Sequence, residues 1–243
     1  MFSEEIKLIW NQILSETQTL MDQELELAGF YYAYILNHRN FDSALSYMLS
    51  NKLGNEIVSA LSIRDIINKI YHFNQSIVFS AVKDIQAAYN KDVDIECYSI
   101  PFLYFKGFHA LQAYRISNYL WKNHRYELAI YFQNQISVIF SVDIHPATQI
   151  GNGIVLDHAT GIVVGAVDIA KDNVVTVHQP ILLDNIRSVY TKRCPIINDG
   201  VVIGVGAKIL GPIEIGPRVN VSANSIVLTS IPSNNVVVKV SDK

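Results

Sequence analysis

The sequence predicts an α + β protein with an N-terminal helical domain followed by a left-handed parallel β-helix. Two observations predict this fold: the apolar spacing changes from three and four residues to six near residue 140, and glycine becomes frequent after that point. The chain has 243 residues, half of them hydrophobic and 17% charged, a composition typical of ordered globular proteins. We therefore expect a helical domain over 1–140 and a β-helical domain over 141–235.

The first half of the chain is predicted to be helical because its apolar residues recur three and four positions apart. Only three glycines precede Gly151. Ser43, which follows an aspartate, resembles the capped start of a helix. The predicted helices are EEIKLIWNQILSETQTL, FDSALSYMLSNKL, SIRDIINKIYHF, SIVFSAVKDIQAAYN and LQAYRISNYLWKNH.

The second half repeats an aliphatic residue every six positions, often followed by glycine. This period is typical of a parallel β-helix, in which each six-residue rung forms one flat side of a triangular coil and its aliphatic side chain points to the axis. One series is interrupted only at Asp168 and the other is unbroken. The first comprises Ile144, Ile150, Leu156, Ile162 and Val174, and the second Ile197, Ile203, Ile209, Ile215, Val221 and Val227.

A loop is expected to leave the coil between the two series. Val174 and Ile197 are 23 residues apart, one residue short of four rungs. The polar and basic segment DNIRSVYTKRC lies in this interval, so we expect an extruded loop at about 180–195. Long loops on a rigid scaffold often carry function.

Composition excludes several classes of partner. The net charge of −3 and the pI near 6.1 provide no basic surface for nucleic acid or for acidic lipid. Cys97 and Cys194 match no metal or redox spacing, which favours a reducing cytoplasm. The N-terminal residues contain no apolar signal-peptide core, and no segment is apolar enough to span a membrane. We expect a soluble cytoplasmic protein.

Asp157 and His158 lie in the otherwise apolar run LDHATGIVVG. The pair can be read as a polar corner of the coil or as the chemistry of the protein. If the pair is chemical, the histidine is a side chain that can act as a base near neutral pH and take a proton from a weakly acidic group such as a hydroxyl. A carboxylate beside such a base would fix its tautomer and stabilise the imidazolium.

The chain resembles bacterial serine acetyltransferase over nearly its whole length. The resemblance rests on the motifs SALSYML, DIQAAYNKD, YFKGFHALQAYRI, VDIHPATQIGNGIVLDHATGIVVG and GVVIGVGAKILGPIEIG. It implies transfer of an acetyl group from acetyl-CoA to the hydroxyl of L-serine, giving O-acetyl-L-serine as the first step of cysteine biosynthesis. It also implies a homotrimer or a dimer of trimers.

The resemblance assigns roles to four acidic or basic positions. His158 matches the general base of the family, and Asp143 matches the aspartate that pairs with it. Asp157 and Asp92 match residues that contact the substrate, and Asp92 holds the amino group of serine. An ammonium group requires such anions.

The predicted loop departs from the family at the cofactor site. A Gly-Gly-Thr-Gly-Lys stretch of the family is replaced here by QPILLDNIRSV, which contains no glycine. Glycine lets the backbone approach a ligand closely, a role that leucine and isoleucine cannot fill. Arg187 is the candidate for the missing positive charge, and Gly204 and Ala207 are further candidate contacts of acetyl-CoA.

The family motif Arg-His-Pro is also altered. Here it reads Arg193, Cys194 and Pro195. The resemblance implies that Arg193 binds the carboxylate of the substrate, while the second active-site histidine of the family is replaced by Cys194. Cys194 is either a thiol near the substrate or a small tolerated replacement.

The remaining histidines do not predict a metal site. The spacing of His145, His158 and His178 does not match a multiple of one coil, so the three side chains are not expected to converge on one ion. His109 and His124 lie in helical segments, where packing or surface positions are expected. We therefore predict no metal.

Two other functions remain open from the sequence. The first is a catalytically silent trimeric scaffold that keeps the assembly surfaces and binds an amino acid. The second is an acyltransferase with another acceptor, such as a sugar, but the matching helical half speaks against it. The chain ends in VVVKVSDK, without the isoleucine-terminated tail through which the family binds O-acetylserine sulfhydrylase. Docking of that enzyme is therefore not expected.

Overall fold

The computed structural model describes residues 2–91, 95–165, 168–169, 175–178, 181–184 and 195–237. The chain divides into two units, Met1–Phe105 and Lys106–Lys243. The first unit is helical, and the second combines two helices with parallel strands.

The first unit consists of short and medium-length helices. Its α-helices are α1 (Phe2–Gln23), α2 (Ala28–Tyr31), α3 (Phe41–Leu53), α4 (Ala60–Phe73), α5 (Gln75–Lys91) and α6 (Ser99–Tyr104). A 3-10 turn at Leu25–Leu27 precedes α2, and a π-helical turn at Tyr32–Leu36 follows it. Four of the five predicted helical segments therefore correspond to helices of this unit, and the boundaries of α3 match the predicted segment.

The start of α3 differs from the expectation in one detail. The N-cap is Asn40, whose side-chain oxygen accepts a hydrogen bond from the backbone N–H of Ser43 at 3.2 Å. Ser43 is therefore inside the helix and is not its cap. Asparagine is among the strongest N-cap residues because it satisfies an amide that the helix leaves without a partner.

The second unit begins with α7 (Lys106–Lys122) and α8 (Tyr126–Phe140). These helices pack against each other and on the first strand, so they belong to the same unit as the strands. The second unit therefore begins at Lys106. The expected division lies between residues 140 and 141, where the chain changes from helix to strand. No helix in the described ranges is long and apolar enough to cross a bilayer.

Fourteen short strands follow in the described part of the second unit. They are β1 (Val142–Ile144), β2 (Gln149–Ile150), β3 (Leu156–Asp157), β4 (Ile162–Val164), β5 (Asp168–Ile169), β6 (Val175–His178), β7 (Ile181–Asp184), β8 (Ile196–Ile197), β9 (Val202–Ile203), β10 (Lys208–Leu210), β11 (Glu214–Ile215), β12 (Asn220–Val221), β13 (Ile226–Val227) and β14 (Val236–Val237).

Every third strand lies in the same sheet, which is the topology of a three-sided coil. One sheet has the order β1-β4-β7-β10-β13, the second β2-β5-β8-β11, and the third β3-β6-β9-β12-β14. All pairs are parallel. The prediction of an α + β fold with a left-handed parallel β-helix is confirmed.

The unbroken six-residue series forms the axis of the coil. All six of its members are buried, and Ile197, Ile209 and Ile215 have no exposed surface. In the first series Ile150 is only half-buried, and Val174 lies outside the described residues. Burial of aliphatic side chains along the axis provides most of the stabilisation of such a coil.

The coil is regular from β8 to β13, longer before this stretch, and two residues shorter in its last turn, where Asn220 pairs with Val236. Val202 pairs with Asn220 and Lys208 with Ile226, as expected for three six-residue rungs per turn. At the start of the coil Val142 pairs with Ile162, so the first turn contains two additional residues. Most of the predicted extruded loop, residues 185–194, lies outside the described residues.

Candidate active site

The turn between β3 and β4 carries Asp157 and His158 in an unusual backbone conformation. Asp157 is the last residue of β3, and His158 and Ala159 have φ values of 50° and 59°. The N–H of Thr160 donates to the carbonyl of His158 at 2.9 Å. Two consecutive non-glycine residues in the left-handed region are energetically unfavourable, and such strain is common at functional sites.

The imidazole of His158 projects from this turn into solvent. Its side chain is 77% exposed, and its Nε2 lies 3.7 Å from Asp157 Oδ1. This distance is too long for a hydrogen bond but within the range of an ion pair when the ring is protonated. The structure therefore brings Asp157 and His158 together and leaves the ring accessible to a substrate.

Asp143 lies on β1 and is held by a different partner. Its Oδ1 accepts a hydrogen bond from Gln133 Nε2 on α8 at 2.7 Å. Among the contacts that the structure gives to Asp143 and His158, none joins the two side chains. Pairing of Asp143 with His158 thus remains a prediction.

Gln133 is a neighbour of the site that the sequence analysis missed. Its signal in the sequence is a polar residue within the apolar helical stretch LAIYFQNQISVIF.

The start of α7 lies in close contact with β3, the strand that leads into the turn. A Cβ added to Gly107 would lie 1.9 Å from the carbonyl oxygen of Leu156, the residue before Asp157. Lys106 Nζ donates a hydrogen bond to Thr160 Oγ1 on the other side of the turn. The sequence analysis assigned no role to either residue, although Gly107 is one of only three glycines in the first 150 residues.

The same helix holds the first coil through polar side chains. Tyr114 donates to the carbonyl of Thr148, and Arg115 donates to the carbonyl of Gly151 at 2.8 Å. Asn118 Nδ2 donates at 2.8 Å to the carbonyl of Pro146. Burial raises the pKa of Tyr114 well above its usual value, against the opposing charge of Arg115, so the phenol stays protonated as a donor.

Gly204 and Ala207, the candidate cofactor contacts on the later coils, are already engaged within the coil. The N–H of Gly204 donates to Val221 O at 2.7 Å, and the N–H of Ala207 donates to Gly204 O at 3.2 Å. The Ala207 side chain is fully buried. A contact of either residue with acetyl-CoA would therefore have to use a backbone carbonyl.

Four candidate residues lie outside the described part of the chain. These are Asp92, Arg187, Arg193 and Cys194. Within the glycine-free stretch that contains Arg187, the described residues Ile181–Asp184 form β7, which pairs with β4 and β10. This part of the stretch is a rung of the coil.

His145 forms contacts that stabilise the fold. Its Nδ1 accepts from the N–H of Ala147 at 3.1 Å, and its ring packs edge-on against Trp121 of α7 with centroids 5.2 Å apart. His109 is buried beside Phe108 and Phe140. The described residues contain no group of three or more histidine, cysteine or carboxylate side chains that could hold a metal.

The family model and the relatives that match this chain carry the same name, serine acetyltransferase. Residues 9–113 match the family model "Serine acetyltransferase, N-terminal". The chain is 52% identical over 241 residues to the serine acetyltransferase of Buchnera aphidicola subsp. Baizongia pistaciae, covering 99% of this chain and 94% of the relative. It is 49% identical over 232 residues to that of Escherichia coli K12, covering 96% and 85%.

A solved structure agrees with these relatives. A serine acetyltransferase in complex with CoA superposes with a TM-score of 0.90 at 47% identity, covering 95% of this chain and 96% of that one.

The contact of α7 with β3 predicts a severe effect of one added methyl group. We expect Gly107→Ala to lower the free energy of unfolding by about 1–3 kcal/mol, because the new Cβ would overlap a backbone oxygen that cannot rotate away. Chemical denaturation measures this change. Gly29→Ala is the matched control, since nothing lies within 4 Å of its added Cβ. Equal effects of the two variants would contradict the close approach.

Proposed function

The chain belongs to the serine acetyltransferase family, and on this premise we propose how its residues carry the reaction. It is an enzyme that transfers an acetyl group from acetyl-CoA to the hydroxyl of L-serine, forming O-acetyl-L-serine in cysteine biosynthesis. Identity of about half the residues over nearly the full length favours this activity over a silent scaffold or a sugar acyltransferase.

We propose that His158 is the general base. An imidazole nitrogen takes the hydroxyl proton of serine as its oxygen attacks the carbonyl carbon of the thioester. The carbon–sulfur bond then breaks, and the imidazolium returns the proton to the departing thiolate of CoA. The exposed ring on a strained turn is the observation that carries this assignment.

We propose two different roles for the neighbouring carboxylates. Asp157 lies 3.7 Å from the ring and is exposed enough to meet the ammonium group of serine. The family motif assigns Asp92 to the same group. Asp143 lies on β1, which pairs with β4. Its register partner on β4 is Val163, five residues after His158. We propose that Asp143 gives up its hydrogen bond to Gln133 and stabilises the imidazolium instead.

We propose that two arginines bind the anionic groups of the substrates. The family motif assigns Arg193 to the carboxylate of serine, and we propose that Arg187 contributes charge toward acetyl-CoA. Guanidinium groups bind carboxylates and phosphates through two parallel hydrogen bonds. Cys194 stands where the family motif has a histidine, so we assign it no proton-transfer role.

We propose that the coils assemble as a trimer or a dimer of trimers. Several apolar side chains of the coil are exposed, among them Ile226 at 61%, Leu228 at 55% and Val236 at 63%. Ile226 and Val236 lie on different sheets of the coil, and exposed apolar side chains on such faces favour contact with another subunit.

We also propose that the enzyme acts in the cytoplasm. Of the described residues, Cys97 is a free thiol. Free thiols are typical of reducing compartments. Acetyl transfer itself requires no disulfide or oxidising environment.

Replacement of His158 tests the proposed base. We expect His158→Ala to lower kcat by about 10²–10⁴-fold, the usual contribution of a general base. The release of CoA thiol from acetyl-CoA and L-serine measures the rate. His124→Ala is a matched control, because His124 is also exposed at a positive φ of 59° but bonds to Tyr126 on α8. A rate within about twofold of the unmodified enzyme in His158→Ala would assign the base elsewhere.

Separate kinetic parameters distinguish the two carboxylates. Asp157→Asn should raise the KM for serine at least about tenfold, because a charge-assisted hydrogen bond contributes about 1.5–3 kcal/mol. Asp143→Asn should mainly lower kcat, because its loss affects the imidazolium and not the bound serine. Steady-state kinetics over a range of serine concentrations measures both. The same change in both variants would contradict the division of roles.

The oligomeric state has a direct measurement. Static light scattering should give a mass of three or six chains of 27.3 kDa each at micromolar concentration. A monomeric mass under these conditions would exclude the proposed assembly.

A further inference from the structure

A polar cavity lies in the helical unit, which contains neither Asp157 nor His158. It has a volume of about 600 Å³ and is formed by the turn before α3, by α3 and by α4. Cavities of about 300–1,000 Å³ are typical of small-molecule sites. Its lining includes Asn37, Arg39, Asp42, Arg64, Asn68 and His72.

The cavity carries a net positive charge. Arg39 and Arg64 both line it, and one carboxylate, Asp42, lines it as well. Among the described side chains, neither guanidinium group forms an ion pair with Asp42 or with another carboxylate. Two arginines that are not held in ion pairs, against one carboxylate, favour an anionic ligand.

Packing holds Arg64 at the cavity wall. Its Cζ lies 5.1 Å from the centre of the Tyr47 ring, a cation–π arrangement. The opposite neighbours of that ring are Tyr34 and His38, with centroids 5.5 and 5.0 Å away. Because Tyr47 is fixed by other rings, the guanidinium above it loses little freedom when it binds a ligand.

His38 supports the same distribution of charge. Its Nε2 donates to the carbonyl of Ala33 at 3.0 Å, so its Nδ1, 3.1 Å from Ser43 Oγ, is the acceptor of the neutral ring. Burial lowers the pKa of His38 more than the bond to Ala33 raises it, and the charge of Arg64 lowers it further. His38 therefore shapes the wall as a neutral group, and the arginines supply the charge.

We propose that this cavity binds a small polyanion, a phosphate- or carboxylate-bearing metabolite with at least two negative charges. Each guanidinium can form two parallel hydrogen bonds to one anionic group, and the amides of Asn37 and Asn68 add neutral donors at the wall. The site is additional to the acetyl-transfer residues and does not depend on them.

Calorimetric titration with two probes tests the proposal. Pyrophosphate and citrate are titrated separately into the full-length protein, with ionic strength held constant by sodium chloride because salt screens exposed charges. We expect saturable binding of at least one probe with a Kd below about 1 mM. Arg64→Gln should weaken it at least about tenfold, because charge-assisted hydrogen bonds are lost.

A control on the same helix separates the site from general charge effects. Lys69→Gln removes one positive charge from an exposed position of α4 that does not line the cavity, and it should leave the Kd within about twofold. Arg39→Gln, at an exposed position, serves as a second variant if Arg64→Gln does not fold. His158→Ala should bind the probes like the unmodified protein, so a failure of the proposed base and a failure of this site are distinguishable.

The outcomes are distinct. Binding of pyrophosphate alone identifies a phosphate ligand, and binding of citrate alone identifies a carboxylate ligand. Binding of both supports a polyanion site without preference between them. The proposal is overturned if neither probe binds saturably, or if Lys69→Gln weakens binding as much as the arginine variants do.

Discussion

The close contact between α7 and the first coil is the constraint on which the candidate active site depends. Gly107 leaves no room for a side chain against the carbonyl of Leu156, and Lys106 reaches Thr160 beyond the turn. Tyr114 and Arg115 bind carbonyl groups of the same coil further along the helix. A rigid helix thus fixes both the strand before the turn and Thr160 at its other side, which is how a strained turn can persist.

This arrangement explains how a simple repeating coil can carry chemistry at one corner. Regular rungs bury their aliphatic side chains, as Ile203 and Ile209 do, and offer few reactive groups. At residues 157–160 the rung is replaced by a turn with two left-handed residues, and the imidazole points to solvent beside a carboxylate. The two additional residues of the first coil accommodate this turn without disturbing the parallel pairing of β1 with β4.

The two units present different kinds of polar surface. In the second unit the polar side chains of α7 are used to hold the coil, as Asn118 holds Pro146 and Thr148. In the first unit Arg39 and Arg64 line a cavity without an anionic partner among the described side chains. Guanidinium groups that are not held in ion pairs are able to bind an added anion, which is the basis of the proposed site.

The sequence by itself determined five of the helices, the axis of the later coils and the candidate residues of the turn. These features are local or periodic: apolar spacing defines the buried face of α4, and the six-residue period identifies Ile197 to Val227 as axial. Only the tertiary structure decided which carboxylate stands beside His158, that Gln133 holds Asp143, and that Gly107 meets Leu156. Gly107 and Leu156 lie far apart in the chain, Gln133 and Asp143 belong to different elements, and the distance from Asp157 to His158 depends on the conformation of the turn. None of these follows from the six-residue period, from which the first turn departs by two residues.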